Sequence, residues 1–354
     1  MKGDGEVGGA PEASRKQSAP EAGRKRVRWA DAPVTVRVPA TSANLGPGFD
    51  ALGLALTLHD VVEARIIAGG LAIEVSGAGE DTAAAGEDHL VIRAMRAAFA
   101  VLDGQPPGIG LRCVNAIPHG YGLGSSAAAI VAGLLAARAL AAGGADLADP
   151  ELLRLATRLE GHPDNVAACL AGGLTVAWTS DSGPRAARLA PVAGLTPVLC
   201  VPDIPLSTAH ARGLLPTTVP HADAAANAAH AALLVAGLTA DPALLMAGTE
   251  DFLHQPYRAS AMPATAGLIG RLRAAGIPAV VSGAGPAVLA LTVAGASPGP
   301  EAVAPVADGT GIAWQVRVLD VDRDGGTVNP FNPSWSGQQH VGSHGEDEKD
   351  SVQA

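Results

Sequence analysis

Residues 117–128 read I-P-H-G-Y-G-L-G-S-S-A-A and pass from an apolar strand-like segment, through a glycine-rich loop, into an alanine-rich helix. Gly120, Gly122 and Gly124 allow the backbone to adopt positive φ and to approach a ligand, because no Cβ stands in the way. Ser125 is placed to cap the helix. Free N–H groups in the first helical turn and the positive end of the helix dipole favour bound anions. The segment therefore predicts a phosphate-binding loop.

The loop differs from the two commonest nucleotide motifs. No Gly-Lys-Ser/Thr follows it, as in a Walker A loop, and its glycine spacing is not that of a dinucleotide fingerprint. An ordinary loop with a serine cap would explain the glycines alone, but the whole segment resembles the phosphate loop of the GHMP small-molecule kinases. This resemblance implies ATP binding by Pro118, Gly120, Gly122, Leu123, Gly124, Ser125, Ser126 and Ala127.

Composition and charge exclude several classes of protein. The 354 residues are 48% hydrophobic and 16% charged, which suits one large or two medium domains and excludes wholesale disorder. A net charge of −10 disfavours nucleic acid and anionic membranes as partners. No apolar run reaches the roughly 20 residues of a membrane span. The cysteines Cys113, Cys169 and Cys200 are odd in number and lie among apolar residues, which indicates buried reduced thiols. We therefore expect a cytoplasmic protein.

Two polar arms flank the region that carries structural patterns. Residues 1–32 and residues 324–354 are rich in small, polar and charged residues without a period, so both are predicted to be disordered. Between them, strands and helices are mixed along the chain. This order predicts an α+β fold with two lobes, an N-terminal ATP-binding domain at 33–192 and a C-terminal domain at 193–323.

Hydrophobic periodicity and turn residues place the individual elements. The predicted strands are residues 34–38, 64–67, 71–75, 174–178, 196–201, 279–282, 288–293 and 314–318. The predicted helices are residues 90–102, 125–142, 150–159, 222–238, 242–252 and 264–275, together with a helix that ends at Gly172.

A second motif lies near the start of the first lobe. Residues 36–54 read V-R-V-P-A-T-S-A-N-L-G-P-G-F-D-A-L-G-L, which resembles the N-terminal signature of the homoserine kinases within the GHMP family. The resemblance implies that Asn44 positions the hydroxyl of an amino alcohol and that Asp50 binds its ammonium group. An amide and a carboxylate suit these two groups. Taken alone, the same residues would be a turn asparagine and a helix-capping aspartate.

A third motif, E-G-H-P-D-N-V-A at residues 160–167, resembles a further segment of this family. By that resemblance, Glu160 binds Mg²⁺ together with a hydroxyl of the Ser125–Ser126 pair, and His162 and Asn165 face the substrate. Carboxylate, hydroxyl, water and phosphate oxygens are ligands that Mg²⁺ prefers.

Asp164 of the same motif has two interpretations. It is either the cap of the following helix or a catalytic carboxylate. Some GHMP kinases use an aspartate base beside a lysine, but here the lysines are confined to the arms, at Lys2, Lys16, Lys25 and Lys349. The proton of the substrate hydroxyl could therefore pass directly to the transferred phosphate.

Two arginines complete the set. Arg212, in V-P-D-I-P-L-S-T-A-H-A-R-G-L-L-P, and Arg258, in H-Q-P-Y-R, resemble family arginines that bind the carboxylate of an amino acid. The planar guanidinium suits this role because it can donate two parallel hydrogen bonds. Residues 282–286, S-G-A-G-P, resemble a glycine turn of the second lobe that packs against the phosphate loop.

The resemblance covers about residues 34–322. It implies the two-lobed GHMP kinase fold, with an N-terminal lobe like domain 2 of ribosomal protein S5 and a ferredoxin-like C-terminal lobe. It also implies a kinase that uses ATP and Mg²⁺ to convert L-homoserine to O-phospho-L-homoserine in threonine biosynthesis. The alternatives are a GHMP kinase for another alcohol such as mevalonate, and a catalytically silent binding module. A homodimer is one assembly that the resemblance allows.

Overall fold

The structure is a computed structural model, and it describes residues 27–142, 147–296 and 298–330. The strands in these ranges are β1 (Arg28–Trp29), β2 (Val34–Ala43), β3 (Leu52–Ile66), β4 (Gly70–Gly77), β5 (Gly108–Asn115), β6 (Ala141–Ala142), β7 (Leu174–Ser180), β8 (Gly183–Leu189), β9 (Leu195–Pro202), β10 (Ala279–Val281), β11 (Val288–Val293), β12 (Trp314–Val318) and β13 (Thr327–Pro330).

The helices of the described ranges belong to both lobes. They are α1 (Leu90–Val101), α2 (Ser125–Leu140), α3 (Asp149–Glu160), α4 (Asp164–Ala171), α5 (Thr208–Gly213), α6 (His221–Thr239), α7 (Leu245–Gly248), α8 (Gln255–Arg258), α9 (Pro263–Ala274) and α10 (Val303–Asp308). Short 3₁₀ segments lie at Glu80–Asp88, Pro242–Leu244, Ala259–Ala261 and Pro300–Ala302. None of these helices is long and apolar enough to cross a membrane.

The first lobe is built on a sheet with the order β13-β2-β3-β5-β4, to which the β7–β8 hairpin is added through β3. Strand β3 is 15 residues long, so its second half pairs with β5 while its first residues pair with β7. Helix α2 crosses the inner face of this sheet. Because α2 is apolar on nearly all sides, it is buried on nearly all sides. The start of α2 is thereby held rigidly at the edge of the lobe.

Close packing of α1 on α2 depends on one glycine. A Cβ added to Gly133 of α2 would lie 2.5 Å from the carbonyl oxygen of Val91 in α1, which is shorter than any real contact. The small residues of this region therefore allow two helices to approach each other without aromatic side chains between them. This is the packing that an alanine- and glycine-rich sequence makes possible.

The second lobe has an antiparallel sheet with the order β10-β11-β9-β12. One face carries α9 and α10 over a core that includes Val198, Leu268 and Val288. The opposite face, with Leu199 and Leu289, belongs to the same core as the first lobe. The two lobes are therefore continuous through their interiors, and the mixed α+β organisation agrees with the prediction.

Both predicted arms contribute strands, which corrects their assignment as wholly disordered. Strand β1 pairs with β6, and Trp29 packs edge-on against Phe99 with ring centroids 5.0 Å apart. Strand β13 pairs with β2 at the edge of the first sheet, so the chain returns to the first lobe after β12. Strands this short carry too little periodicity to be recognised. Residues 1–26 and 331–354 lie outside the described residues.

Several predicted elements differ from the observed ones. Most of β3 and all of β5 were missed, because glycines and buried positions interrupt the alternation of their sequences. The predicted helix 242–252 is a 3₁₀ turn followed by α7, which ends where the Thr249 hydroxyl bonds to the carbonyl oxygen of Leu245, 2.8 Å away. All three cysteines are buried and free, as expected.

Candidate active site

The glycine loop before α2 has the backbone conformation that its sequence predicts. Gly120, Gly122 and Gly124 have φ of 81°, 75° and 68°. A Cβ on Gly122 would lie 2.1 Å from the carbonyl oxygen of Ser282, and one on Gly124 would lie 2.0 Å from the Thr41 hydroxyl oxygen. Gly124 itself is the N-cap of α2, so the expectation that Ser125 caps the helix is wrong. The first N–H groups of α2 are thereby left open towards the cleft.

The glycine turn at residues 282–286 joins the second lobe to this loop. The Ser282 hydroxyl oxygen lies 2.8 Å from the carbonyl oxygen of Gly122, and the Gly283 N–H donates to the carbonyl oxygen of Ala43 over 3.1 Å. The side-chain amide of Asn44 also donates to the Gly283 carbonyl oxygen over 2.8 Å. Three motifs that are distant in sequence therefore meet at one point between the lobes.

A cavity of about 260 Å³ opens at this junction, and we call it the ionic cleft. Fourteen of the predicted site residues line the ionic cleft: Asn44, Asp50, Gly120, Gly122, Leu123, Gly124, Ser125, Ser126, Glu160, His162, Asp164, Asn165, Arg212 and Arg258. Gly283 and Ala284 of that turn also line it. The predicted ATP residues Pro118 and Ala127 are not in the lining.

Asp50 and Arg212 form an ion pair across the cleft. The two guanidinium nitrogens of Arg212 donate to the two carboxylate oxygens of Asp50 over 2.8 and 3.0 Å. Asp50 has a φ of 54°, and its N–H donates to the Asn44 side-chain oxygen over 2.9 Å, which fixes the loop in this strained conformation. The hydrogen bond to Asp50 raises the pKa of Arg212.

Buried groups on the side away from the cleft fix the position of Arg258. Its side chain is 2% exposed, its Nε donates to the Ala211 carbonyl oxygen over 3.1 Å, and its terminal nitrogen lies 3.2 Å from Nδ1 of His254. Burial lowers the pKa of Arg258. The ring of Phe49 lies 5.5 Å from the guanidinium carbon of Arg258 and 5.6 Å from that of Arg212. One aromatic ring therefore contacts both cations.

Sequence reasoning missed the roles of Phe49 and His254, although both residues lie within quoted motifs. His254 is completely buried, and its Nε2 lies 2.8 Å from the carbonyl oxygen of Gly46. Nε2 therefore carries the proton and Nδ1 accepts from Arg258. Burial lowers the pKa of His254, which keeps the ring neutral beside the cation. His254 thus positions Arg258 without touching the cleft.

A chain of hydrogen bonds fixes the E-G-H-P-D-N motif. Nδ1 of His162 lies 2.5 Å from Oδ1 of Asp164, and this bond raises the pKa of His162. The same Oδ1 accepts the Asn165 N–H over 2.7 Å, and the Asn165 side-chain oxygen accepts the Thr41 hydroxyl over 2.7 Å. Asp164 is 1% exposed and is the first residue of α4, whose cap is Pro163. The interpretation of Asp164 as the helix cap is therefore wrong.

Glu160 ends α3 at the mouth of the phosphate loop. The Ser126 hydroxyl lies 2.7 and 2.8 Å from its two carboxylate oxygens. Burial raises the pKa of Glu160, an effect that the hydrogen bond from Ser126 opposes. A carboxylate beside the two hydroxyls of Ser125 and Ser126 is a set of hard oxygen donors, which fits Mg²⁺.

A second group of candidate ligands fits a metal less well. Ligand atoms of Asp50, His162 and Asp164 lie within 4.8 Å of one another. However, the Asp50 carboxylate is already neutralised by Arg212, and Nδ1 of His162 is already bonded to Asp164. These three groups pair within the protein, so Glu160 and the serines are the better candidates.

A second cavity of about 260 Å³ lies on the other side of the start of α2, and we call it the side cavity. Its walls are largely apolar and include Leu90, Val91 and Ala128, whereas Ser125 and Ser126 line both cavities. Buried Asp60 also lines it, with Oδ1 accepting the N–H groups of Ala116 and Ile117 over 2.7 and 2.9 Å. Burial raises the pKa of Asp60 to about 6. The sequence did not predict this cavity.

Known proteins resemble the chain in both sequence and structure. The models of the GHMP kinases N terminal domain and of the GHMP kinases C terminal region match residues 89–173 and 228–307. A homoserine kinase of Streptomyces coelicolor is 55% identical over 301 residues, which cover 85% of this chain and 96% of that protein. The homoserine kinase structure from Cytophaga hutchinsonii has a TM-score of 0.74 at 29% identity, covering 85% of this chain and 98% of that one.

Proposed function

The chain belongs to the homoserine kinases of the GHMP kinase family, and on this basis we propose that it transfers the γ-phosphoryl group of ATP to the side-chain hydroxyl of L-homoserine. The products are O-phospho-L-homoserine, as in threonine biosynthesis, and ADP. These relatives do not favour the alternatives, mevalonate as substrate or a silent binding module. The observation that carries the proposal is the ionic cleft, where two arginines and an aspartate face the phosphate loop.

Homoserine matches the charges of the cleft by exchange. In the structure, Asp50 and Arg212 neutralise each other. Homoserine carries an ammonium and a carboxylate, so its ammonium group replaces Arg212 at Asp50 while its carboxylate binds Arg212 and Arg258. Every charged group of the substrate, Asp50 and the two arginines then has a partner of opposite sign. A hydroxy acid without an amino group would leave the half-buried Asp50 carboxylate without a partner, which weakens its binding.

ATP binds along the glycine loop. Its phosphates contact the open N–H groups at the start of α2, where the helix dipole favours anions. Because Ser125 and Ser126 line both cavities, a triphosphate at the loop carries its nucleoside towards the side cavity. Glu160, Ser125 and Ser126 would hold Mg²⁺, which when bound neutralises the negative charge of the phosphates.

The remaining residues orient the hydroxyl that attacks. Asn44 is fastened at both polar atoms, to Asp50 and Gly283, so its second amide hydrogen has a fixed direction for the hydroxyl oxygen. Oδ1 of Asp164 is occupied by His162 and Asn165, whereas its Oδ2 makes no hydrogen bond to any residue of the described ranges. Oδ2 can therefore accept a hydrogen bond from the substrate hydroxyl and orient it.

Phosphoryl transfer depends more on alignment than on a strong base. We infer that the bond from the homoserine oxygen to the γ-phosphorus forms as the bond from that phosphorus to the bridging oxygen of ADP breaks. The hydroxyl proton passes to the transferred phosphate. His162 and Asn165 hold Asp164 in place during the step.

The experiment that tests this function compares alcohols. Purified protein is incubated with ATP, Mg²⁺ and either L-homoserine, 4-hydroxybutyrate or mevalonate, and ADP release and product mass are measured. We expect phosphohomoserine as the main product, with kcat/KM for 4-hydroxybutyrate about 100-fold lower because its binding leaves the half-buried Asp50 carboxylate unpaired. Preferred phosphorylation of either acid without an amino group would contradict the proposal.

A further inference from the structure

The side cavity is lined by one buried polar side chain, His89, that the described residues leave without a hydrogen-bond partner. His89 precedes α1, is 6% exposed and lines the cavity, yet its side chain does not cap the helix. Its Nδ1 is buried without a hydrogen-bond partner, and neither ring nitrogen bonds to any residue of the described ranges. A buried polar group left unpaired destabilises the fold. Such a group calls for a partner that the protein alone does not supply.

Three other polar residues around the cavity make the contrast clear, whereas His119, which also lines it, is exposed to solvent. Asp60 accepts two backbone N–H groups, Thr82 donates to the Gly79 carbonyl oxygen over 2.7 Å, and Asn115 donates to the Ala78 carbonyl oxygen over 2.9 Å. Each of these side chains has a structural role at the wall. His89 has no such role, so its imidazole is available to whatever occupies the cavity.

The chemistry of His89 suits an uncharged, planar ligand. Burial, with a smaller effect from His119, lowers the pKa of His89 and keeps its ring neutral. A neutral imidazole offers one donor and one acceptor, which match the ring nitrogens and the exocyclic amine of a purine. The apolar walls contributed by Leu90, Val91 and Ala128 would hold a flat base but would not fix its rotation.

We propose that His89 is a specificity-determining residue for the nucleotide, and that its imidazole forms a hydrogen bond with the edge of the purine base of ATP. This inference rests on the proposed function, which places the triphosphate on the loop beside the cavity. The hydrogen bond satisfies the imidazole and fixes the rotation of the base between apolar walls. His89 then affects which nucleotide binds, and it does not take part in phosphoryl transfer.

The test combines a variant with nucleotides that lack single atoms. KM and kcat are measured at saturating homoserine for wild-type protein and His89→Ala, using ATP, its 1-deaza, 3-deaza and 7-deaza analogues, and purine riboside triphosphate, which lacks the amine. We expect His89→Ala to raise the KM for ATP about fivefold to tenfold, the effect of one neutral hydrogen bond. The kcat and the KM for homoserine should change less than about twofold.

The analogues distinguish a direct contact from a structural effect. One of them should bind wild-type protein about fivefold to tenfold more weakly than ATP, yet bind His89→Ala no more weakly than ATP, because the partner is already absent. If the analogue that behaves in this way is a deaza nucleotide, which lacks a ring nitrogen, His89 is the hydrogen-bond donor. If it is purine riboside triphosphate, which lacks the amine, His89 is the acceptor. The proposal would be overturned if every analogue raised the KM relative to ATP by the same factor in wild-type protein and in His89→Ala.

Two controls complete the experiment. His230→Ala removes a half-buried histidine of α6 whose Nδ1 bonds to the Ala247 carbonyl oxygen, far along the chain from the side cavity, and it should leave the KM for ATP unchanged. His89→Phe keeps a ring without polar atoms, so it gives the same analogue pattern if His89→Ala folds poorly.

Wild-type protein without homoserine kinase activity would instead contradict the proposed function. Calorimetric titration with ADP and deaza-ADP would then still test His89.

Discussion

The two cavities on either side of the start of α2 are alike in size and opposite in chemistry. The ionic cleft is lined by charged groups that are already paired, Asp50 with Arg212 and His162 with Asp164. The side cavity has mainly apolar walls and one buried imidazole, that of His89, without a hydrogen-bond partner in the described part of the chain. Ser125 and Ser126 belong to both.

This difference shows two ways of selecting a ligand. A self-paired cleft admits a ligand only if the ligand replaces both halves of an ion pair, so selection depends on charge. An apolar cavity admits any flat group of the right size, and a single hydrogen bond then distinguishes one base from another. The effects of substitution should therefore be large in the ionic cleft and small in the side cavity.

The largest loss is expected at Glu160. Glu160→Gln keeps the shape of the side chain and an oxygen that can accept from Ser126, but it removes the charge proposed to hold Mg²⁺. The kcat should fall about 1,000-fold, because charge neutralisation at the phosphates is worth several kcal/mol. Steady-state assays should show no such loss for Glu151→Gln, an acidic residue of the same helix that pairs with Arg154. A Glu160→Gln enzyme with more than a tenth of the wild-type kcat would remove this carboxylate from the metal site.

A substitution at Asp50 tests the exchange of charges itself. Asp50→Asn is compatible with the positive φ at this position, because asparagine tolerates it. It removes the partner of the ammonium group and frees Arg212. The kcat/KM for homoserine should fall about 100-fold, while that for 4-hydroxybutyrate should rise or stay constant. Equal losses for the two substrates would show that Asp50 does not recognise the amine.

Asp60 should reveal the cost of a charge in the side cavity. Its pKa is raised from 3.8 to about 6, so its contribution to stability is fully present below pH 3.8 and is lost as the pH rises through 6. Asp60→Asn keeps an oxygen for the N–H groups of Ala116 and Ile117. At pH 8 the variant should be more stable by up to about 3 kcal/mol. Urea unfolding should show a smaller gain at pH 4, and a gain that is independent of pH would contradict the explanation.

Asp164→Asn distinguishes alignment from base catalysis. The amide can still orient the hydroxyl, so we expect kcat to fall only about tenfold if the proton passes directly to the phosphate. Single-turnover assays with bound ATP measure this step. Complete loss of phosphorylation with ATP binding intact would show that Asp164 is the base.

The smallest effect in the cleft is expected at Phe49. Its ring contacts both arginines, and an exposed or partly exposed cation–π contact contributes about 0.5–1 kcal/mol. Phe49→Leu should therefore raise the KM for homoserine about fivefold and leave the KM for ATP unchanged. An increase in both constants would indicate a general disturbance of the loop.

The sequence was most informative where function depends on short continuous motifs. The glycine loop, Glu160 and the two arginines were all predicted, because a backbone that needs positive φ and a guanidinium that binds a carboxylate each require a particular residue type. The arrangement of the phosphate loop against the second lobe also followed from the resemblance of residues 282–286.

The residues that sequence reasoning missed act through contacts that no local pattern encodes. His254 positions Arg258 by bonding to Gly46, 208 residues away in the chain. His89 and Asp60 become neighbours only because β3, most of which was missed, brings Asp60 to the wall that begins α1. Even the pairing of Asp50 with Arg212 spans 162 residues, so the sequence predicted two separate ligand groups rather than an ion pair.

The most direct measurement is a crystal structure with L-homoserine and a non-hydrolysable ATP analogue. The ammonium group should lie within hydrogen-bond distance of Asp50, and the carboxylate should lie between Arg212 and Arg258, with the Asp50–Arg212 ion pair broken. Homoserine bound elsewhere, with Arg212 still donating both hydrogen bonds to Asp50, would contradict the exchange on which the account depends.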